Sequence, residues 1–213
     1  MNTTHIWLRR FSKFTVFSTL FLIFAGALVK SHEVGLSVPD WPTTYGYNMF
    51  TFPIQDMVGG IFYEHSHRLI ASFVGLLSII LAVWMGIVEK RIWVKKIGYF
   101  ALGLVILQGL FGGITVLYFL PTAVSMIHGV IAQLFFLVVI LIAFCYSIEY
   151  NSEIPNKNSK NHHSILKWSR ITLSVIFIQL IFGALMRHMN AGLAIPDFPT
   201  IGWNWIPLIN KDT

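Results

Sequence analysis

The sequence predicts an all-α membrane protein with five transmembrane helices, and three observations support this fold class. Apolar residues make up 55% of the 213 positions and charged residues only 11%, against roughly 25% charged residues in soluble domains. The mean hydropathy is +0.69. The apolar residues form long continuous runs rather than alternating with polar ones, which indicates transmembrane helices and not a transmembrane barrel. A helix also satisfies its own backbone hydrogen bonds in lipid.

Five apolar runs are long enough to cross about 30 Å of hydrocarbon at about 1.5 Å per residue. The predicted spans are 14–30, 61–88, 97–118, 122–147 and 168–187. We expect the first four to pack as an antiparallel bundle. The loop 31–60, which contains three prolines, joins the first two spans.

Most of the lysines and arginines lie in three clusters beside apolar runs, on one predicted side of the membrane. The clusters are Arg9, Arg10 and Lys13; Lys90, Arg91, Lys95 and Lys96; and Lys157, Lys160, Lys167 and Arg170. This positive-inside pattern predicts a multi-pass protein of the cell (inner) membrane with a cytoplasmic N-terminus and an external C-terminus. The net charge of +6 therefore reflects the bilayer, and nucleic acid is not an expected partner. The single cysteine, Cys145, excludes an intrachain disulfide.

Two segments are copies of one another. Residues 25–43 read AGALVKSHEVGLSVPDWPT and residues 182–200 read FGALMRHMNAGLAIPDFPT, at a constant offset of 157 residues. Because the first run has this later copy, we interpret it as a span and not as a cleaved signal peptide. Four spans separate the copies, so both should run in the same direction.

The repeat predicts three regions. They are a four-helix unit over 1–148, a cytoplasmic linker over 149–167, and the first helix and external loop of an incomplete second unit over 168–213.

Two histidines occupy matching places in a weaker repeat within the first unit. His67 begins HRLIA and His128 begins HGVIA, and each lies seven residues after a helix start, at Gly60 and Pro121 respectively. Both imidazoles should therefore lie at similar depth on facing helices, as axial ligation of a heme iron requires. A packing or hydrogen-bonding role for each histidine is the alternative.

Glu64 shares a helix face with His67 and Arg68, because the three are spaced i, i+3 and i+4. A Glu64–Arg68 ion pair that lowers the cost of burial and a proton-transfer role for Glu64 beside a heme both fit this spacing. His65 points away from His67, and we assign it no role.

Cations also lie at the outer ends of the spans, at Lys30, Arg68 and Arg187. They are interpreted either as snorkelling side chains or as partners of heme propionates. Gly109 and Gly113 form a GxxxG pair typical of close helix packing, and Gln108 is a candidate interhelical hydrogen-bond donor. Four further histidines are predicted in loops without a role: His32, His162, His163 and His188.

Together, GLSVPDWPTTYG, FYEHSHRLIAS, the His128 helix and FGALMRHMNAGLAIPDFPT resemble the heme A synthase family of cytochrome oxidase assembly proteins over essentially the whole chain. The resemblance implies two four-helix halves that oxidise a methyl group of heme O to the formyl group of heme A. It assigns catalysis to Glu64 and heme binding to His67, Arg68 and His128, with the two histidines as ligands of the iron. It further implies a heme b cofactor in the second half, with heme O synthase and other assembly factors as partners.

Two departures from the family pattern leave alternatives open. Val38 and Thr44 stand where many members carry cysteines, and the histidine pair of the second half is not in this sequence. The chain is therefore a heme A synthase-type enzyme, a non-catalytic heme-binding or electron-transfer protein, or an inactive fragment. A homo-oligomer or a complementing chain would supply the missing helices.

Overall fold

The computed structural model describes residues 3–151, 160–189, 191–193 and the single positions 197, 200 and 205. The described part contains six α-helices. They are α1 (Thr3–Ser31), α2 (Gly60–Val88), α3 (Ile92–Leu117), α4 (Thr122–Cys145), α5 (Ile148–Asn151) and α6 (Lys160–His188). All except the single-turn α5 are long and apolar enough to cross a membrane. The prediction of an all-α fold with five spans is confirmed.

The long helices differ from the predicted spans mainly at their polar ends. For example, α1 begins at Thr3 and α6 at Lys160, both well before the apolar runs of the sequence begin. A helix continues beyond hydrocarbon as long as its backbone hydrogen bonds continue, whereas an apolar run marks only the part in lipid. Helix α6 therefore includes the end of the predicted linker, and residues 152–159 of that linker lie outside the described part.

The first four long helices form a square bundle. Each of α1 and α3 packs against both α2 and α4, so α2 and α4 stand diagonally across the bundle. Helix α6 packs against α4. We call the end of the bundle that carries the long loop 32–59 the loop end, and the end that carries the short α2–α3 connection the turn end.

The apolar core fills mainly the turn end of the bundle. On α2 its first fully buried member is Val74, and on α4 it is Phe135. These positions are seven residues after His67 and His128 respectively, which is about 10 Å along each helix. The two histidines therefore lie between this core and the loop.

An ion pair between Glu89 and Arg91 lies at the turn end of the bundle. The Arg91 guanidinium donates to both carboxylate oxygens of Glu89, at 3.1 and 2.8 Å, and to the Cys145 carbonyl at the end of α4. Burial raises the pKa of Glu89, but the hydrogen bonds from Arg91 outweigh this effect and lower the pKa to about 2. The cluster ties the α2–α3 connection to α4.

The loop at the other end folds around the carboxylate of Asp40. That carboxylate accepts hydrogen bonds from the Thr43 hydroxyl and from the backbone N–H groups of Tyr45 and Gly46. Burial raises the pKa of Asp40, but the hydrogen bonds from these donors lower it by more. The net pKa therefore lies below its usual value. Gly46 has φ of +79°, a conformation that glycine adopts without strain.

The same local contact recurs in the second copy of the sequence repeat. The Thr200 hydroxyl donates to Asp197 at 2.5 Å, as the Thr43 hydroxyl donates to Asp40 at 2.5 Å. Asp197 follows Asp40, and Thr200 follows Thr43, at the repeat offset of 157 residues. The two copies therefore share a structural element as well as a sequence.

Candidate functional site

His67 and His128 lie in the interior of the bundle near its loop end, and each packs against a glycine of the preceding helix. A methyl group added to Gly26 of α1 would lie 2.9 Å from Cε1 of His67. A methyl group added to Gly112 of α3 would lie 3.5 Å from Cε1 of His128. The two hairpins thus repeat one contact, in which a glycine makes room for an imidazole.

His67 on α2 and His128 on α4 stand on diagonal helices of the bundle. The Nδ1 atom of each ring is buried and has no hydrogen-bond partner among the described residues. Most buried polar atoms in proteins do have a partner. Two interior imidazoles on diagonal helices are the side chains that axial ligation of a heme iron uses, so these two residues fit a heme between them.

Gln108 of α3 supports the His128 helix. Its side-chain amide donates to the His128 carbonyl at 2.8 Å, which agrees with its prediction as a polar contact between helices. The hydroxyl of Ser125, one turn closer to the loop, is also buried without a partner among the described residues. Sequence analysis missed Ser125, since an isolated serine in a helix gives no periodic signal.

Glu64 and Arg68 form a buried ion pair on α2, with 2.6 Å between Oε1 and Nη2. The second carboxylate oxygen of Glu64 accepts the backbone N–H of Val38 at 2.8 Å. The guanidinium also donates to the carbonyls of Val38, Asp40 and Thr43, at 2.7, 2.7 and 3.1 Å. Glu64 and Arg68 therefore hold the loop against α2 as well as each other.

His65 provides another attachment of the loop. Its Nδ1 lies 3.0 Å from the Thr44 hydroxyl, and its ring packs against Phe52 with 5.1 Å between ring centroids. His65 and Thr44 are 1% and 0% exposed, so this contact is buried in the protein. The helical wheel correctly separates His65 from His67, but it does not reveal that His65 faces the loop.

The loop also reaches α3 through Trp41. A methyl group added to Gly113 would lie 2.7 Å from Cδ2 and from Cε2 of the indole, whereas a methyl group at Gly109 would meet none of the described residues within 4 Å. The interpretation of Gly109 and Gly113 as a helix-packing pair is therefore wrong. Gly113 accommodates a side chain of the loop. This contact joins residues far apart in sequence, so the spacing of residues within one helix does not predict it.

The three predicted cations have different surroundings. Arg68 is occupied by the contacts already described. Lys30, one turn beyond Gly26 on α1, has no ion-pair partner among the described residues. Arg187 at the end of α6 donates to the Ala27 carbonyl of α1 at 2.9 Å and is exposed.

Three of the four histidines predicted in loops belong to a helix. His163 and His188 lie within α6. His32 lies just after α1, where its ring stacks on Tyr63 with 4.3 Å between centroids. His162 is also in α6, but its side chain lies outside the described part.

The fold and this site define a polytopic α-helical membrane protein with paired interior histidines beneath a fixed loop. The chain belongs to the COX15-CtaA family, described as cytochrome oxidase assembly protein, which matches residues 9–211. The family resemblance of the sequence is thereby confirmed.

Several relatives named heme A synthase are similar to this chain. The protein from Halalkalibacterium halodurans is 27% identical over 97% of this chain and 68% of its own length. The protein from Shouchella clausii is 26% identical over 95% and 66%, and that from Shewanella oneidensis 27% identical over 94% and 62%. The chain thus spans about two thirds of the length of these relatives. No solved structure matches it significantly.

Proposed function

We propose that this chain takes part in heme A synthesis for cytochrome oxidase assembly, with heme O as the substrate whose methyl group becomes a formyl group. The observation that carries the proposal is the pair of partnerless Nδ1 atoms of His67 and His128 in a member of this family. In the proposed complex the two imidazoles ligate the heme iron. The apolar core lies on one side of the two histidines and the loop on the other.

The substrate's propionates require cations at the loop end. Lys30 is the best supported candidate, since the described residues give its ammonium group no ion-pair partner. Arg68 and Arg187 stay proposed as additional heme-binding cations, but both already donate to backbone carbonyls. A propionate would have to share their remaining N–H groups.

Glu64 is the proposed catalytic residue. Conversion of the methyl group to a formyl group takes up one oxygen atom, from water in the proposed step, and releases protons and electrons. A carboxylate near the porphyrin edge can accept the protons. The electrons leave to an external acceptor. This role comes from the family resemblance and from the face that Glu64 shares with His67.

The second candidate function is non-catalytic heme binding or electron transfer. It is favoured by the contacts of Glu64, whose two oxygens already accept hydrogen bonds from Val38 and Arg68. On this alternative the carboxylate only fixes the loop. An inactive fragment of the family would share these contacts and bind heme without turnover.

Further features of a complete enzyme are proposed on family grounds. They are a heme b cofactor, heme O synthase and other assembly factors as partners, and a second copy or a complementing chain that completes the second unit. The inner-membrane location, the cytoplasmic N-terminus and the regional boundaries at 148 and 168 also stay predictions.

The test is to express the full chain with a supply of heme O, purify it and identify the bound porphyrin by mass. We expect heme O together with heme A or a hydroxylated intermediate, whereas heme b alone supports the carrier function. His67→Ala and His128→Ala should each abolish the low-spin heme spectrum, since one axial position opens. His32→Ala is the matched control and should leave the spectrum unchanged. An unchanged spectrum in both site variants excludes this heme site.

A further inference from the structure

Trp41 connects two helices of the candidate site through the loop. On one side, the carbonyls of Asp40 and Thr43, which flank Trp41 in sequence, accept hydrogen bonds from Arg68 on α2. On the other side, the indole rests on Gly113 of α3. The loop therefore holds Trp41 between α2 and α3 at the loop end.

Both attachments are next to the paired histidines. Arg68 directly follows His67 on α2, and Gly113 directly follows Gly112, the glycine against which His128 packs. The indole is 39% exposed, although polar contacts fix the backbone on both sides of it. The ring is therefore a partly exposed apolar surface, and each of its attachments is one residue away from a contact of the histidine pair.

We propose that Trp41 is a binding residue for the tetrapyrrole, forming the wall of the site between α2 and α3, and that Gly113 is required as its seat. The proposal rests on the proposed function, since the ligand is the porphyrin held by His67 and His128. A porphyrin edge is flat and apolar, so an indole contacts it well and excludes water from it. The absence of a side chain at Gly113 lets the indole approach α3.

The first experiment measures heme loss. The full chain and its variants are purified in detergent, loaded with hemin, and mixed with excess apomyoglobin as the heme acceptor. Trp41→Ala should lose hemin about tenfold faster than the unmodified chain. Gly113→Ala should shift the rate in the same direction, because its methyl group displaces the indole, whereas Gly109→Ala on the same helix should have no effect. The double variant Trp41→Ala/Gly113→Ala should lose hemin no faster than Trp41→Ala alone.

The second experiment needs no heme. Amide hydrogen exchange over residues 38–47 should be faster in Gly113→Ala than in Gly109→Ala, because only the former unseats the loop. Equal exchange in the two glycine variants would overturn the role of Gly113 as a seat.

The heme-loss experiment distinguishes failure of the Trp41 proposal from failure of the heme site itself. If the unmodified chain binds hemin through His67 and His128 but Trp41→Ala loses it at the unmodified rate, Trp41 is not part of the wall and the proposed function stands. If the unmodified chain binds no hemin, the heme site itself is overturned and this proposal with it. Trp41→Phe guards against misfolding, since it keeps an aromatic ring and should retain most of the slow heme loss.

Discussion

Glu64→Gln should loosen the loop from α2, because the carboxylate accepts hydrogen bonds from two donors that a glutamine cannot satisfy together. In the structure Oε2 accepts from Val38 N at 2.8 Å and Oε1 accepts from Arg68 at 2.6 Å. A glutamine has one carbonyl oxygen, and its amide N–H₂ would face the other donor. Arg68 keeps its three carbonyl acceptors, so it is not left without partners.

The magnitude follows from these contacts. A hydrogen bond to a charged group contributes about 1.5–3 kcal/mol, and removing one partner of a fully isolated buried pair costs about 3–5 kcal/mol. Because Arg68 stays bonded to the loop carbonyls, we expect a loss of about 2–3 kcal/mol in the free energy of local opening, in the upper part of the first range. At about 1.4 kcal/mol per factor of ten, the Val38 amide should exchange roughly 30- to 150-fold faster.

Hydrogen exchange resolved at the Val38 amide measures this effect. Glu89→Gln is the matched control, since it removes the carboxylate of the Arg91 ion pair at the turn end and should leave Val38 unchanged. Val38 exchange that stays the same in Glu64→Gln would refute the anchoring role. Loss of heme A formation with unchanged Val38 exchange would instead support the proposed catalytic role.

Three further predictions test other contacts. Gly26→Ala should weaken low-spin heme binding more than Gly112→Ala, because the added methyl groups meet the imidazoles at 2.9 and 3.5 Å; equal spectra would contradict this. Thr44→Val should speed exchange in residues 43–46 by about three- to tenfold, since it removes the hydroxyl bonded to His65; a loop as protected as before would exclude this anchor. Burial raises the pKa of Glu89, but hydrogen bonds from Arg91 lower it from its ordinary value of 4.5 to about 2, so the ionised carboxylate stabilises the fold fully above pH 4.5. That stabilisation is lost as the pH falls towards 2. Between pH 4.5 and 2, the free energy of unfolding should therefore change less steeply with pH in Glu89→Gln than in the unmodified chain.

The sequence was sufficient to predict the spans and the histidine pair, because both depend on regular features. Hydrophobic length reports a transmembrane helix, and equal spacing from two helix starts places His67 and His128 at one depth. The shared face of Glu64 and Arg68 likewise follows from the helical period. Each of these inferences requires only the geometry of one helix at a time.

The loop contacts could not be predicted in this way. The path of residues 32–59 is set by long-range hydrogen bonds and turn geometry, which have no period. Spacing within α2 predicts Arg68 as a snorkelling cation, a partner of Glu64 or a partner of heme propionates, but it does not predict the three loop carbonyls. Spacing within α3 likewise predicts Gly113 as a helix-packing residue, and it does not predict the contact with Trp41. His65 was given no role for the same reason. The one available signal was that His65 lies within the segment Glu64–Arg68, which forms a Glu-x-x-His-Arg motif.

The loop contacts also change how variants of this motif must be interpreted. Along little more than one turn of α2, Glu64 and Arg68 face the loop backbone, His65 faces Thr44, and His67 packs against α1. Three of these residues thus place the loop, and the remaining one is free to bind a ligand. A variant at Glu64 can therefore lose activity because the loop moves, with no change in proton transfer. Loss of turnover identifies a catalytic group at this motif only when loop protection and heme retention are measured on the same protein.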